Sequence, residues 1–303
     1  MIKNYEELIE RVKKGNVKKT AAVVCAHDEH TLEAVDMAVK NNIIIPILIG
    51  EGKRIKEIVE ARGFALKDAE IREEKEDKEA AKMSIKMVRS GEADFIMKGN
   101  LQTADLMREV VNKETGLNMG CLMSHFVFME IPGYHKLIVV TDGGLIPHPN
   151  LDEKAQILIN AVNVLHNMGY ENPKVAVLAA AETVSPKIQE TVDADLLKKM
   201  NQEGKITGCI VEGPISFDLM ISHESARIKN YKSPITGDAD IMIMPDIAAG
   251  NICAKALVFF SGAKAAGTII GAKVPIAMIS RGASAEEKYL SIVLTAAAAR
   301  KQV

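Results

Sequence analysis

The chain has 303 residues, 48% of them hydrophobic, which is enough apolar material for one large α/β core or for two domains. The formal net charge is −2, aromatic residues make up 4% and tryptophan is absent, so the composition argues against binding of nucleic acid or of an anionic membrane surface. The first residues lack the apolar core of a signal peptide, and no apolar run reaches the roughly 18 residues of a membrane helix, so we expect a soluble, cytoplasmic protein.

Strand-like runs alternate with longer amphipathic segments through the first half of the chain. The pattern predicts strands at 20–26, 43–50, 93–97 and 137–141, and helices at 29–40, from 51 onward, at 77–90 and at 103–112. This alternation is typical of a mainly parallel sheet with crossover helices, which places the chain in the α/β class. Glycines and prolines are dense from Asp142 to Pro149 and indicate a turn and a domain boundary.

The second half repeats the alternation. It predicts strands at 173–179, 208–211, 240–244, 266–270 and 275–280, and helices at 151–168, from Ser185–Pro186 onward and at 284–300. Ser185–Pro186 has the cap-then-proline order of a helix start. A second α/β series therefore follows the first.

The end of the last predicted strand carries the most informative residues, Ser280-Arg281-Gly282. Ligands of open α/β sheets bind outside the carboxyl ends of the strands. A hydroxyl and a guanidinium at that edge can hold an anion, and the following helix start adds partial positive charge. The alternative is a plain turn with a solvated arginine.

Two carboxylates, Glu286 and Glu287, follow this turn and are candidates for a general base. Ser284-Ala-Glu-Glu287 is also a capping-box sequence, in which Glu287 would reach back to the Ser284 amide. Both acids suit the first turn of any helix. The choice between a catalytic and a structural role stays open at this stage.

Further polar candidates lie at other predicted strand ends. Lys98-Gly99-Asn100 precedes a helix near Thr103, and its amides and ammonium could hold a phosphate. Asn251 and Lys255 follow the Asp246 loop on a helix, where they could bind a ligand or serve as turn and surface residues. Ser124 and His125 are adjacent on a strand, so they face opposite sides and cannot easily pair as nucleophile and base.

Metal ligation is not expected. The sequence His27-Asp28-Glu29-His30 is better interpreted as a helix cap at Asp28 between two solvated histidines. The four cysteines have no C-x-x-C spacing and are typical of reduced thiols.

Ser280-Arg281-Gly282, with an acid six or seven places after the serine, resembles the C-terminal active-site motif of the phosphate acyltransferases. That family includes phosphate acetyltransferase and phosphate butyryltransferase. Gly237-Asp-Ala-Asp-Ile-Met-Ile-Met-Pro-Asp246 and Ala249-Gly-Asn-Ile-Cys-Ala-Lys255 resemble further blocks of the family. The segments beginning at Lys98, Ser124 and Thr141 resemble its N-terminal blocks. The blocks occur in order over nearly the whole chain, and residues 212–218 and the short N-terminus look closer to the butyryltransferase branch.

The resemblance implies two α/β domains facing a cleft, as in the isocitrate and isopropylmalate dehydrogenases. By this resemblance the first domain comprises residues 1–143 with a C-terminal helix at 284–303. The second comprises residues 144–283, and the active site lies in the cleft.

The resemblance also implies the reaction, acyl-CoA plus phosphate in exchange for acyl phosphate plus CoA, through a direct ternary complex and with butyryl as the expected acyl group. CoA is then a substrate, with no permanently bound cofactor and no metal. Ser280 would stabilise the transition state, Arg281 would bind the phosphoryl group, and Glu287 or Glu286 would take the thiol proton. The acetyltransferase branch has an aspartate at the position of Glu287, and this departure leaves the base open. The expected substrate-binding residues are Lys98, Gly99, Asn100, Thr103, Ser124, Asp246, Asn251 and Lys255.

Three alternatives remain: an acetyl-specific enzyme, a metal- and nicotinamide-dependent decarboxylating dehydrogenase of the same fold, and a non-catalytic CoA-binding relative. No G-x-G-x-x-G follows a predicted strand, which argues against the dehydrogenase. A homo-oligomer, a dimer or larger, is expected.

Overall fold

The computed structural model describes residues 1–15, 17–278, 280 and 282–299, and forms two compact units. The central unit comprises Met1–Asn4 and Leu122–Ala265. The terminal unit comprises Tyr5–Cys121 and the chain from Ala266 onward. The structure therefore changes unit after Cys121 and after Ala265, where the sequence analysis placed the boundaries after 143 and 283. The predicted cleft between domains stays a prediction.

Helices and strands alternate along the described residues. The helices are α1 (Tyr5–Lys14), α2 (Glu29–Lys40), α3 (Gly52–Arg62), α4 (Asp77–Ser90), α5 (Thr103–Val110), α6 (Leu151–Asn167), α7 (Gln189–Gln202), α8 (Phe217–Ile221), α9 (His223–Ile228), α10 (Ile247–Ser261) and α11 (Ala285–Ala298). The strands are β1 (Lys19–Val24), β2 (Ile44–Gly50), β3 (Glu70–Glu73), β4 (Phe95–Lys98), β5 (Ser124–Glu130), β6 (Ile138–Thr141), β7 (Lys174–Leu178), β8 (Ile210–Ile215), β9 (Ile241–Ile243), β10 (Lys264–Ile270) and β11 (Ile276–Ala277). Among them, no helix has the length and apolar character needed to cross a membrane.

The terminal unit is built on the strand order β3-β2-β1-β4-β11-β10. Every pair is parallel except β10–β11, which is antiparallel. Because β11 pairs with both β4 and β10, the chain after Ala265 belongs to this unit. The apolar β1 strand is almost fully buried, and α11 packs against α1 and α2.

The central unit has the strand order β5-β6-β9-β7-β8. β5 and β6 are antiparallel and the remaining pairs are parallel. Since β6 also pairs with β9, residues 122–143 belong to this unit rather than to the preceding α/β series. Its buried core draws on the strands and on α8, with Val140, Met242 and Leu219 among its members.

Most predicted elements are confirmed, and the differences have local causes. The helices predicted at 29–40 and 77–90 are α2 and α4, with the same bounds. The helix start predicted at Ser185–Pro186 is wrong: α7 begins at Gln189. The Ile188 N–H donates to the Ser185 carbonyl at 2.9 Å, and the Thr191 hydroxyl also bonds to that carbonyl, so these residues form a turn before the helix. β11 keeps only two residues of the strand predicted at 275–280.

A buried ion network joins three strand starts in the central unit. The Lys136 ammonium, 1% exposed, lies 2.6 Å from the Asp240 carboxylate and 2.8 Å from that of Asp238, which also pairs with Lys174. Partial burial would raise the pKa of Asp238, but hydrogen bonds from the two lysines outweigh it and hold that pKa well below its usual range. The stability that this carboxylate supplies is therefore present above its unfolded pKa of about 4, and it is lost as the pH falls towards the folded pKa.

We expect Lys136→Met to lower the free energy of unfolding at pH 7 by about 3–5 kcal/mol, because it leaves the Asp240 carboxylate buried without its ammonium partner. Lys53→Met is the matched control, since the Lys53 side chain is 92% exposed. Its effect should stay within about 0.5 kcal/mol. Urea denaturation measures both, and equal midpoints for the two variants would contradict a structural role for the network.

Candidate active site

A cavity of about 150 Å³ lies within the terminal unit, at the carboxyl ends of β1, β4 and β11. This is the edge at which ligands of parallel α/β sheets bind. The polar side chains that line it include Asp28, Lys98, Asn100, Ser280, Lys288 and Ser291. The fold therefore brings together residues from the two ends of the sequence around one small space.

The junction after β4 forms one wall of the cavity. The N–H groups of Gly99 and Asn100 donate to the carbonyl oxygens of Val24 and Cys25, at 2.8 and 2.9 Å. A Cβ on Gly99 would lie 2.5 Å from each of these two oxygens, so glycine alone fits here. Both N–H groups are therefore occupied by the end of β1. In this segment the Lys98 side chain, rather than the backbone, can bind an anion.

The Lys98 side chain is a buried cation beside the cavity. The residue is 8% exposed, and its ammonium donates to the Gly99 carbonyl at 3.2 Å. Lys98, Gly99 and Asn100 all line the cavity. Thr103 is not among the described residues that line it; it begins α5 and is exposed.

A second cation reaches the same cavity from α11. The Lys288 ammonium lies 3.4 Å from Asp28 Oδ1 and 3.1 Å from the Thr31 hydroxyl. Asp28 Oδ1 also accepts from the Thr31 N–H at 2.9 Å, which confirms the predicted cap of α2. Sequence reasoning missed Lys288. A signal was present, because a cation in the first turns of a helix opposes the helix dipole and so is unusual without another purpose.

Ser280 is exposed and lies on the cavity wall, just before the start of α11. Its predicted partner Arg281 lies outside the described residues. Of the predicted Ser-Arg pair, the structure therefore places Ser280 on the wall of the cavity that Lys98 and Lys288 also line.

The two candidate bases occupy the first turn of α11. Glu287 Oε2 accepts from the Ser284 N–H at 2.8 Å, and the Glu287 N–H donates to the Ser284 hydroxyl at 3.2 Å, which completes a capping box. Glu286 is exposed in the same turn. Neither carboxylate is among the described residues that line the cavity.

Four predicted binding residues belong to the central unit. Ser124 is fully buried at the start of β5, and its hydroxyl lies 3.3 Å from the Asn160 amide nitrogen. Lys255 is exposed on α10.

The other two stand at the start of α10. Asp246 caps this helix by accepting from the Ala249 N–H at 2.8 Å, and it lines a separate cavity of about 830 Å³ within the central unit. The Asn251 amide donates to the Gly143 carbonyl at 3.2 Å. Hydrogen bonds within the central unit thus account for the positions of both side chains.

Residues 74–296 match the sequence model of a family described as "Phosphate acetyl/butaryl transferase". The chain belongs to this family. It is a phosphate acyltransferase, and the family uses CoA as a substrate. The matched stretch contains Lys98, Ser280 and Lys288, whereas Asp28 lies before it.

Relatives in this family carry both acyl names at nearly equal similarity. The chain is 42% identical to a phosphate acetyltransferase of Thermotoga maritima, with 96% of this chain and 98% of the relative covered. It is 40% identical to a phosphate butyryltransferase of Clostridium beijerinckii, with 99% of each covered. The comparisons therefore assign acyl transfer to phosphate, and the two sequence identities do not distinguish an acetyl from a butyryl substrate.

Solved structures agree with the predicted fold class. A branched-chain phosphotransacylase from Enterococcus faecalis superposes with a TM-score of 0.83 at 28% identity, covering 93% of this chain and 99% of that one. A 4-hydroxythreonine-4-phosphate dehydrogenase from Burkholderia phymatum superposes with a TM-score of 0.56 at 13% identity, covering 95% and 100%. The second likeness concerns the fold alone and confirms the predicted α/β class shared with dehydrogenases of the isocitrate dehydrogenase type.

We expect Gly99→Ala to lower the free energy of unfolding by about 2 kcal/mol or more, because the new methyl group meets two backbone oxygens that cannot move without separating β1 from β4. Gly282→Ala is the control, since a Cβ built there meets no described atom within 4 Å beyond its chain neighbours. Its effect should be within about 0.5 kcal/mol. Thermal and urea denaturation measure both, and equal stabilities would mean that the strand ends are not held as described.

Proposed function

We propose that this chain transfers a short-chain acyl group, with butyryl preferred, directly between CoA and phosphate. The observation that carries the proposal is the cavity at the sheet edge, which Lys98, Lys288 and Ser280 line together. Two cations suit a phosphoryl dianion, and a hydroxyl suits the oxyanion of a tetrahedral acyl centre.

Support for butyryl comes from two sources. Residues 212–218 resemble the butyryltransferase branch more than the acetyltransferase branch, and in the structure they form the end of β8 and its turn into α8. The structural relative at a TM-score of 0.83 is named for branched-chain acyl groups, which are larger than acetyl.

The chemistry can proceed without a covalent acyl-enzyme. In the direction that consumes acyl phosphate, the CoA thiolate attacks the carbonyl carbon, a C–S bond forms, and the C–O bond to phosphate breaks with its electron pair leaving on phosphate. Ser280 would donate a hydrogen bond to the carbonyl oxygen as its charge grows, and Lys98 would bind the departing phosphate. By family resemblance Arg281 would share the phosphate. Positioning and charge stabilisation then supply most of the rate.

Three buried candidate nucleophiles, Ser124, Cys25 and Cys209, are consistent with this direct route. The Ser124 hydroxyl is buried and adjacent to an amide rather than to a base. Burial raises the pKa of the Cys25 thiol, with the Asp77 carboxylate adding to the effect, and burial raises that of Cys209 to about 11. At neutral pH these two thiols are protonated and therefore poor nucleophiles.

A homo-oligomer remains part of the proposal. Helix α10 packs one side against the central core, yet Ile252, Phe259 and Phe260 on it are 68%, 81% and 92% exposed. A patch of exposed large apolar residues on one helix is normally covered by a partner, so this patch supports contact with a second copy. Substrate contacts by Thr103, Ser124, Asp246, Asn251 and Lys255 stay predictions.

We expect kcat/KM for butyryl phosphate to exceed that for acetyl phosphate by about tenfold or more, because each methylene bound in an apolar pocket contributes about 1–3 kcal/mol. The rate at which the CoA thiol is consumed gives kcat/KM for each acyl phosphate. Lys98→Met should lower kcat/KM for both substrates by a similar factor. A preference for acetyl phosphate would assign the acetyl branch. CoA binding without turnover of either acyl phosphate would contradict the proposed function and favour a non-catalytic CoA-binding protein.

We expect Glu287→Gln to retain turnover, because glutamine also serves in a capping box and the carboxylate is already bound to Ser284. Glu286→Gln should lose about tenfold or more if Glu286 takes the thiol proton. Rates at saturating CoA across pH 6–9 compare the two, with Ser284→Ala as a control for loss of the cap. A large loss in Glu287→Gln with unchanged thermal stability would instead place the base at Glu287.

A further inference from the structure

The position of Lys288 is difficult to explain by stability alone. Its side chain is 13% exposed, so most of its surface is removed from bulk solvent. It is the fourth residue of α11, near the end of the helix where the dipole favours negative charge. An apolar or neutral residue here would avoid both costs.

The Lys288 side chain lines the cavity, and its ammonium has room for a further acceptor. Among the described residues, its acceptors are Asp28 Oδ1 at 3.4 Å and the Thr31 hydroxyl at 3.1 Å. Asp28 Oδ1 already accepts the shorter bond from the Thr31 N–H, at 2.9 Å. An ammonium has three N–H donors, and these two acceptors lie at or beyond the usual bonding distance, so the pair is loose rather than saturated.

The charged groups around the cavity favour an anionic ligand. Its described lining carries the Lys98 and Lys288 ammonium groups and the Asp28 carboxylate, a sum of one positive charge, together with the His30 imidazole. Asp28 Oδ2 is buried and has no hydrogen-bond partner among the described residues. The lining thus favours an anion. An anion with a hydroxyl group could also donate a hydrogen bond to Asp28 Oδ2. Inorganic phosphate as the monohydrogen ion has both properties.

We propose that Lys288 is a direct ligand of the phosphoryl group in the reaction, in the cavity that Lys98 also lines. The inference rests on the proposed function for its substrate, and it names a residue that the motif around Ser280 does not include. In both directions Lys288 holds non-bridging oxygens of the phosphate or acyl phosphate. No bond to the protein forms or breaks, and CoA does not touch it.

The test separates phosphate binding from turnover. Lys288→Gln removes the charge, while its amide can still donate to Asp28 and Thr31, and Lys288→Arg keeps the charge. Lys53→Gln is the control for loss of one exposed positive charge from the same unit. Inorganic phosphate is titrated into each folded protein by calorimetry, and KM is then measured separately for phosphate, butyryl phosphate and CoA.

We expect Lys288→Gln to raise the phosphate dissociation constant about tenfold or more, as the loss of a charge-assisted bond does. KM for phosphate and for butyryl phosphate should rise in parallel, with KM for CoA unchanged. Lys288→Arg should recover most of the binding, and Lys53→Gln should behave as wild type.

Unchanged phosphate affinity in Lys288→Gln would overturn the inference, even with an active wild-type enzyme. An equal rise in KM for CoA would overturn it as well, because it would indicate a general disturbance of the site. If the wild type turned over no acyl phosphate, the proposed function would fail. A loss of phosphate affinity confined to Lys288→Gln would in that case still uphold Lys288 as an anion ligand.

Discussion

The end of β4 is tied to the end of β1 by two backbone hydrogen bonds, from Gly99 to Val24 and from Asn100 to Cys25. The cavity depends on this junction. Cys25 adopts a φ of 52°, in the left-handed region, and so turns the chain sharply out of β1 towards the α2 cap. The same junction holds Lys98 at the last position of β4. These hydrogen bonds therefore place Lys98 and Asp28 in the lining of one cavity.

Much of the fold could be predicted from local pattern. Helix α2 shows its cap in the sequence at Asp28, and α6 begins at Leu151 as predicted, after a cap at Asn150. The missed strand β3 had a weak signal, because it is four residues long with no buried position. The sequence indicates a strand at Ser124 without its bounds, and the structure extends it to Glu130 as β5. Unit boundaries depend on which strands pair, and pairing over long sequence distances leaves no local pattern.

The candidate site could be predicted only in part, because some of its contacts join residues that are far apart in the sequence. The capping box at Ser284 and Glu287 is a four-residue motif, and the structure forms it. The contact of Lys288 with Asp28 joins residues 260 positions apart, so no window of sequence contains it. The sequence predicts that the N–H groups of Gly99 and Asn100 could bind an anion, because it does not show that the end of β1 accepts their hydrogen bonds.

The Asp28 carboxylate acts as a built-in counter-ion for Lys288, and this bears on which solution anions can occupy the cavity. Because both groups are fixed on one chain, Asp28 is present at an effective concentration of about millimolar or higher, whatever the medium contains. Chloride and other monovalent anions then gain little by replacing it. A dianion that also reaches Lys98 and Ser280 gains more than it displaces. The empty site is thereby protected from the abundant small anions of its surroundings without being closed to them.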